Sequence, residues 1–139
     1  MAFMEWTEEC SVGVRQLDDD HKQLFSITNE LYDSVVVGNG ANIDDFLSNA
    51  ISRLNGYIDL HFKREEDMLE RNGYPKARSH KALHGVATTM FAQLERDKLH
   101  ADKHQLAMEI VKLAKGWLLL HIQEEDKQLG AFLNSKGIR

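Results

Sequence analysis

Four long stretches of the sequence carry apolar side chains at every third or fourth position, and this pattern constrains the fold most. The second stretch is the clearest, running from Ile43 through Leu47 and Leu54 to Ile58. Such spacing places apolar side chains on one face of an α-helix. Sustained alternation typical of strands is absent, and Pro75 is the only proline. The chain of 139 residues is therefore expected to be all-α and a single domain.

Three polar or glycine-containing links, at 38–42, 71–75 and 98–103, separate these stretches. We predict an N-terminal arm over about 1–16, helices over about 17–37, 42–71, 76–97 and 104–123, and a C-terminal tail over about 124–139. Four amphipathic helices with short links favour an antiparallel up-down-up-down four-helix bundle. The tail is expected to be short and helical.

Charge and composition exclude several classes of protein. The chain has 17 basic and 22 acidic residues, a net charge of −5, and no basic run, so nucleic acid is not an expected partner. No stretch approaches the about 18 apolar residues of a membrane span, so membrane insertion is not expected. Acids in the first nine residues do not suit a signal peptide, which favours the cytoplasm. A single cysteine, Cys10, excludes an internal disulfide and a cysteine-ligated cluster.

Histidines lie in or beside the apolar stripe of every predicted helix. The five concerned are His21, His61, His80, His84 and His121. One such histidine would usually be a core residue with a hydrogen-bond partner, because a buried imidazole without one costs about 1–3 kcal/mol. Repetition of the choice in all four helices instead indicates a shared function.

The order of the helices predicts that these histidines meet at one end of the bundle. His21 and the His80–His84 pair lie near the starts of the first and third helices. His61 and His121 lie near the ends of the second and fourth. In an antiparallel bundle the starts of odd helices and the ends of even helices share one layer.

Carboxylates extend the set. Glu65 stands one helical turn after His61 and on the same face. Three acids follow His121, namely Glu124, Glu125 and Asp126. Spacing alone does not choose among them. Asp126 is about 140° around an ideal helix from His121, so it can join the set only if the helix bends or loosens there.

The chemistry of these side chains favours transition metals. Five imidazoles and two carboxylates exceed the about four ligands of a structural zinc site. They suit two metal ions bridged by carboxylates, with iron, manganese, copper or zinc as the options. The many nitrogen donors speak against magnesium and calcium.

These motifs resemble the hemerythrin family, in particular its single-domain bacterial members. They are the lone His21, then His61-x-x-x-Glu65, His80-x-x-x-His84 and His121-x-x-x-x-Asp126. Stretches around 6–13, 73–75 and 132–137 also resemble that branch. The similarity covers nearly the whole chain.

The resemblance implies a pair of iron ions with an oxo or hydroxo bridge between them. One iron would be held by His80, His84 and His121, and the other by His21 and His61. Glu65 and Asp126 would bridge them, which resolves the choice among the three acids in favour of Asp126. In the family, dioxygen binds as hydroperoxide on the two-histidine iron, which has the open position.

Apolar and aromatic side chains near the ligands are expected to line the dioxygen pocket. They are Phe25, Tyr57, Ile58, Phe62, Trp117 and Leu118. Ordinary core packing would account for the same residues equally well. Asp20 stands where relatives often carry glutamine, and we expect it to point away from the apolar stripe of its helix, with little effect on ligation.

The resemblance implies reversible dioxygen binding for storage, transport or delivery. We further expect a monomer, with an electron donor or an oxygen-consuming enzyme as its partner. Alternatives are an oxygen or redox sensor, a di-iron oxidase, peroxidase or nitric oxide-handling protein, and a helical interaction module with an incidental metal. Ferritin-like oxidases carry Glu-x-x-His motifs, and here no glutamate stands three positions before a histidine. We therefore expect that the protein is not an enzyme, although weak peroxidase or oxidase activity is compatible with the site.

Overall fold

The structure, a computed structural model, describes residues 2–37, 43–97 and 102–139. It contains four long helices, α1 (Arg15–Val37), α2 (Ile43–Arg71), α3 (Ala77–Asp97) and α4 (Lys103–His121). A π-helical turn (Ile122–Asp126) joins α4 to a shorter helix, α5 (Lys127–Ser135), and a 3-10 turn (Glu8–Cys10) lies in the arm. These ranges contain no strand, so the prediction of an all-α fold is confirmed.

The four long helices form the predicted bundle. Helix α1 packs against α2 and α4, and α3 packs against α2 and α4 on the other side. The aliphatic core between them is closely packed, with Leu31, Leu47, Leu54 and Ile110 no more than 1% exposed. None of the helices in the described part of the chain is long and apolar enough to cross a bilayer.

Local signals define some helix ends. Helix α2 ends at a turn in which Gly73 has φ +66°, a conformation that glycine adopts without strain. The Asp102 side chain caps α4 by accepting a hydrogen bond from the backbone of Gln105 at 2.8 Å. The predicted links at 38–42 and 98–103 lie wholly or mostly outside the described residues.

The N-terminal arm is fastened where α1 begins and α5 passes. Asp18 accepts hydrogen bonds from the Ser11 hydroxyl at 2.6 Å and from the Val12 backbone at 2.8 Å. The Asn134 side chain donates to the Gly13 carbonyl at 2.9 Å. Because α1 starts here and α5 follows α4 directly, the arm and α5 lie at the end of the bundle that holds His21 and His121.

Candidate metal centre

The structure brings the seven predicted ligand residues together in one buried layer. Helix α1 contributes one histidine, α2 a histidine and a glutamate, α3 two histidines, α4 one histidine and the π-helical turn an aspartate. They are His21, His61, Glu65, His80, His84, His121 and Asp126, all at most 5% exposed. The antiparallel order of the helices accounts for this convergence, since each element contributes from its end at the same height.

The seven side chains form two overlapping groups. In each group, one potential ligand atom per residue lies within 4.8 Å of all the others. The first group contains Glu65, His80, His84, His121 and Asp126. The second contains His21, His61, Glu65 and Asp126. Three histidines thus belong to one group and two to the other, while both carboxylates belong to each.

Glu65 turns one oxygen toward each group. Its Oε1 lies 3.1 Å from Nε2 of His84, and its Oε2 lies 3.1 Å from Nε2 of His61. The first histidine belongs to the three-histidine group and the second to the two-histidine group. This is the arrangement that a bridging carboxylate requires.

Asp126 does the same from the opposite side. Its Oδ1 lies 3.0 Å from Nε2 of His121 and 3.2 Å from Nε2 of His80. Its Oδ2 lies 3.1 Å from Nε2 of His21. Both carboxylates therefore present one oxygen to each set of histidines.

The π-helical turn explains how Asp126 reaches this layer. Within it the Lys127 backbone N–H donates to the Ile122 carbonyl, five residues back instead of four. The wider turn brings the side chain five positions after His121 back toward the bundle axis. Glu124 is exposed and Glu125 half-buried, whereas Asp126 is fully buried. The helix is therefore loosened between His121 and Asp126, as a ligand role for Asp126 requires.

Unsatisfied polar atoms show that the site suits a cation. Nε2 of His21 faces Nε2 of His61 at 3.1 Å, and Nε2 of His84 faces that of His121 at 3.2 Å. Two imidazole lone pairs cannot face each other without a proton or a metal ion between them. Both oxygens of Asp126 are buried and lie 3.0–3.2 Å from histidine nitrogens, yet neither forms a well-aligned hydrogen bond with any described residue. Nitrogen and oxygen donors without thiolate fit a transition metal such as iron.

Nearby carboxylates favour the charged forms of three of the five histidines, His61, His80 and His121. Burial would lower the pKa of His61, but hydrogen bonds to Asp20 and Glu65 raise it to about 10. Burial acts in the same way on His80 and His121, and the nearby carboxylates of Asp126 and Glu65 raise the pKa of each to about 9.

The carboxylates respond in the opposite direction. Burial would raise the pKa of Glu65, yet hydrogen bonds from the surrounding histidines hold it well below its ordinary value. Burial and the charge of Glu65 raise the pKa of Asp126, while the nearby imidazoles of His121, His21 and His80 bring it to about 2. Without metal, the charges of the two carboxylates are therefore balanced by protons on His61, His80 and His121.

Two further carboxylates contact the outer nitrogens of ligand histidines. Asp20 Oδ2 lies 2.9 Å from Nδ1 of His61, and Glu66 Oε2 lies 2.9 Å from Nδ1 of His84. The expectation that Asp20 points away is wrong. Asp20 lies beside His21 on α1, and that flank of α1 packs against α2, so the side chain meets His61 and is 1% exposed. The position of Asp20 on α1 alone does not reveal that His61 of α2 lies next to it.

An apolar cavity adjoins the three-histidine group. Four of the six predicted pocket residues line it, namely Ile58, Phe62, Trp117 and Leu118. Five further lining residues were missed, Leu24, Thr28, Leu54, Phe91 and Ala114. All but Leu24 lie about two helical turns from the nearest ligand histidine. The space open to the centre of a water-sized molecule is about 10 Å³, close to the minimum for one water.

The other two predicted pocket residues do not line this cavity. Phe25 packs edge-on against Trp6 of the arm, with ring centroids 5.7 Å apart. Tyr57 turns to the outer side of the site and donates its hydroxyl to Asp20 at 3.2 Å. Each residue stands four positions from a ligand histidine in the sequence, but Phe25 contacts the arm and Tyr57 contacts Asp20.

Known proteins are similar to this chain in both sequence and fold. The family model of the hemerythrin HHE cation binding domain matches residues 12–133. The bacteriohemerythrin of Methylococcus capsulatus is 33% identical over 136 residues, covering 97% of this chain and 100% of that protein. The bacteriohemerythrin of Clostridium acetobutylicum is 28% identical over 125 residues, covering 88% and 95%.

A crystal structure of wild-type hemerythrin superposes with a TM-score of 0.78 at 31% identity, covering 95% of this chain and 98% of that one. An L114A hemerythrin mutant superposes with a TM-score of 0.79 at the same identity, covering 96% and 98%. With a family model over most of its length and a relative of this similarity, the chain belongs to the hemerythrin family.

Proposed function

We propose that the chain binds dioxygen reversibly at a carboxylate-bridged pair of iron ions. Family membership and the buried cluster of histidines and carboxylates support a non-haem iron site. The observation that carries the pair is the division of oxygens: Glu65 and Asp126 each present one oxygen to the three-histidine group and one to the two-histidine group. A mononuclear site would have no use for two carboxylates oriented in this way.

The unequal number of histidines supports binding of a small ligand at one position. His80, His84 and His121 would hold one iron, His21 and His61 the other, with an oxo or hydroxo bridge between the two. With one protein ligand fewer, the two-histidine position has room for an external molecule. When bound, the ferrous pair would supply the electrons that reversible dioxygen binding requires.

The protein's own contribution is to exclude water and larger molecules. The cavity beside the site offers no free hydrogen-bond donor from Thr28, because its hydroxyl donates to the Leu24 carbonyl at 2.8 Å. The cavity's open space of about 10 Å³ is near the minimum for one water molecule and leaves no room for an organic substrate. This supports binding without catalysis. A cytoplasmic monomer with a separate electron donor or oxygen-consuming partner remains our prediction from the sequence.

Anaerobic loading with ferrous iron tests this proposal. We expect two irons per chain, a visible charge-transfer band that appears on exposure to air, and loss of that band when oxygen is removed. A band that persists until fresh reductant is added would instead favour a redox sensor or an oxygen-consuming enzyme. A folded chain that does not retain two metal ions would favour the interaction module.

A further inference from the structure

We propose that Asp20 is a positioning residue for the two-histidine half of the centre, acting through His61. It fixes the orientation and tautomer of that imidazole and places a negative charge behind it. This inference rests on the proposed function, since it concerns the metal position held by His21 and His61.

The imidazole of His61 is held between Asp20 and the centre. Its Nδ1 donates to Oδ2 of Asp20 at 2.9 Å, while its Nε2 faces Oε2 of Glu65 at 3.1 Å. With the proton on Nδ1, the Nε2 lone pair is free for a metal ion. A carboxylate behind a ligand imidazole raises its basicity and so strengthens its bond to the metal.

Asp20 is itself held in place by three donors. The Arg64 guanidinium at 3.2 Å, the Tyr57 hydroxyl at 3.2 Å and the Gln16 amide at 3.1 Å all contact its Oδ1. The other oxygen, Oδ2, contacts His61. A fully buried carboxylate with this many partners has a defined position, and so does the ring that donates to it.

The corresponding carboxylate in the other half, Glu66, is more exposed to solvent. Glu66 contacts His84 at the same distance, 2.9 Å, but its side chain is 27% exposed, against 1% for Asp20. Water therefore screens the charge of Glu66 more strongly. The buried carboxylate thus lies behind the metal position that has fewer protein ligands. The Nδ1 atoms of His21 and His80 have no hydrogen-bond partner among the described residues, so not every ligand histidine has this support.

Iron retention separates this role from a general effect on folding. Asp20→Asn keeps the size of the side chain and an oxygen that accepts from His61, but removes the charge. Asp20→Ala removes both, and Glu66→Gln is the matched control in the other half. Each variant is loaded with ferrous iron and challenged with a ferrous chelator, and the iron remaining is followed with time. The reduction potential and the diferric visible spectrum are recorded alongside.

For Asp20→Asn we expect half of the iron to leave on the order of tenfold faster than from the unaltered chain, the other half at the original rate. Asp20→Ala should release that half faster still, and Glu66→Gln should change the release much less. The Asp20→Asn potential should rise, because loss of a nearby negative charge favours the ferrous state.

Three results would overturn the inference. One is wild-type iron release and potential in a folded Asp20→Asn protein. Another is uniform acceleration of both halves together with lower stability of the metal-free protein, which indicates structural damage. If the unaltered chain fails to retain two irons, the proposed function fails first, and this inference falls with it.

Discussion

The rings of Phe62 and His84 stack face to face, with centroids 3.9 Å apart and planes 4° from parallel. Trp117 stacks in the same way on His121 at 4.4 Å, and the two aromatic rings meet edge-on at 5.5 Å. Two of the three histidines in the larger group are therefore held on their apolar side by aromatic side chains. Such contacts fix ring orientation before any metal binds.

Replacing Phe62 with leucine should destabilise the protein and loosen the three-histidine group. Loss of the stacked pair is expected to lower the free energy of unfolding by about 1 kcal/mol, as measured by urea denaturation of the metal-free protein. Iron should also leave faster in a chelator challenge. Phe46→Leu is the matched control, because Phe46 is 55% exposed. Equal losses in both variants would contradict a role for stacking on His84.

Much of this centre could be predicted because its geometry follows from helix order. The level of His21, His61 and His121 in the bundle depends only on their distance from helix ends and on the alternation of direction. Regular helical spacing does not predict the location of Asp126, because it would point this side chain away from His121. The sequence set the condition that the helix loosen there, and the π-helical turn at Ile122–Asp126 fulfils it.

The sequence did not reveal contacts that depend on which flank of a helix faces its neighbour or on the path of the arm. Asp20 meets His61 because α1 packs against α2 with that flank inward, which the pattern of α1 alone does not reveal. Tyr57 does not line the predicted pocket for the same reason, because its hydroxyl donates a hydrogen bond to Asp20 instead. Phe25 is covered by Trp6 of the arm, whose path has no periodic signal.

Asp126 should be required for two-metal binding, whereas its acidic neighbours should not. Asp126→Asn removes the charge that faces both histidine groups, so we expect the iron content to fall well below two per chain. Glu124→Gln is the control, because Glu124 is exposed in the same turn. Iron analysis after anaerobic loading and desalting measures the difference. Similar iron content in the two variants would exclude Asp126 as a bridging ligand.

The metal-free protein should lose stability as the pH rises from near neutral to alkaline. The folded pKa of His61 is about 10 and those of His80 and His121 about 9, above the about 6.5 of an unfolded chain. Their protonation therefore contributes fully below about pH 6.5, and the contribution is lost as the pH passes the folded values. Glu65 and Asp126 have lowered pKa values, so their contribution is present above about pH 4.5 and lost in acid.

Urea denaturation at about pH 6 and about pH 9.5 tests this dependence. We expect the metal-free protein to be clearly less stable at the higher pH. Iron-loaded protein should change less, because the metal replaces the protons that hold the cluster together. Equal stability of the metal-free protein at both pH values would contradict the protonated cluster.

Gly130 of α5 is needed for the close approach of the arm. A Cβ built there would lie 1.9 Å from the Val12 carbonyl oxygen, a backbone atom that cannot move without the arm. Gly130→Ala should therefore lower the free energy of unfolding by about 1–3 kcal/mol. Gly116→Ala, where the added Cβ would meet no described atom beyond its own stretch of helix, should instead raise it by about 0.5–1 kcal/mol. Thermal unfolding that changes in the same direction in both would contradict the close contact.

Leu118→Ala should accelerate oxidation of the oxygenated, iron-loaded protein. Leu118 is 6% exposed and lines the apolar cavity with Phe62 and Trp117, so its truncation enlarges the space beside His121 and admits water. Stopped-flow decay of the oxygenated band should become severalfold faster, alongside a loss of about 2–5 kcal/mol in stability. Leu120→Ala, on the same helix but 61% exposed, provides the control and should decay at the original rate. An unchanged decay in Leu118→Ala would mean that water reaches the centre by another path, and that this cavity does not protect bound oxygen.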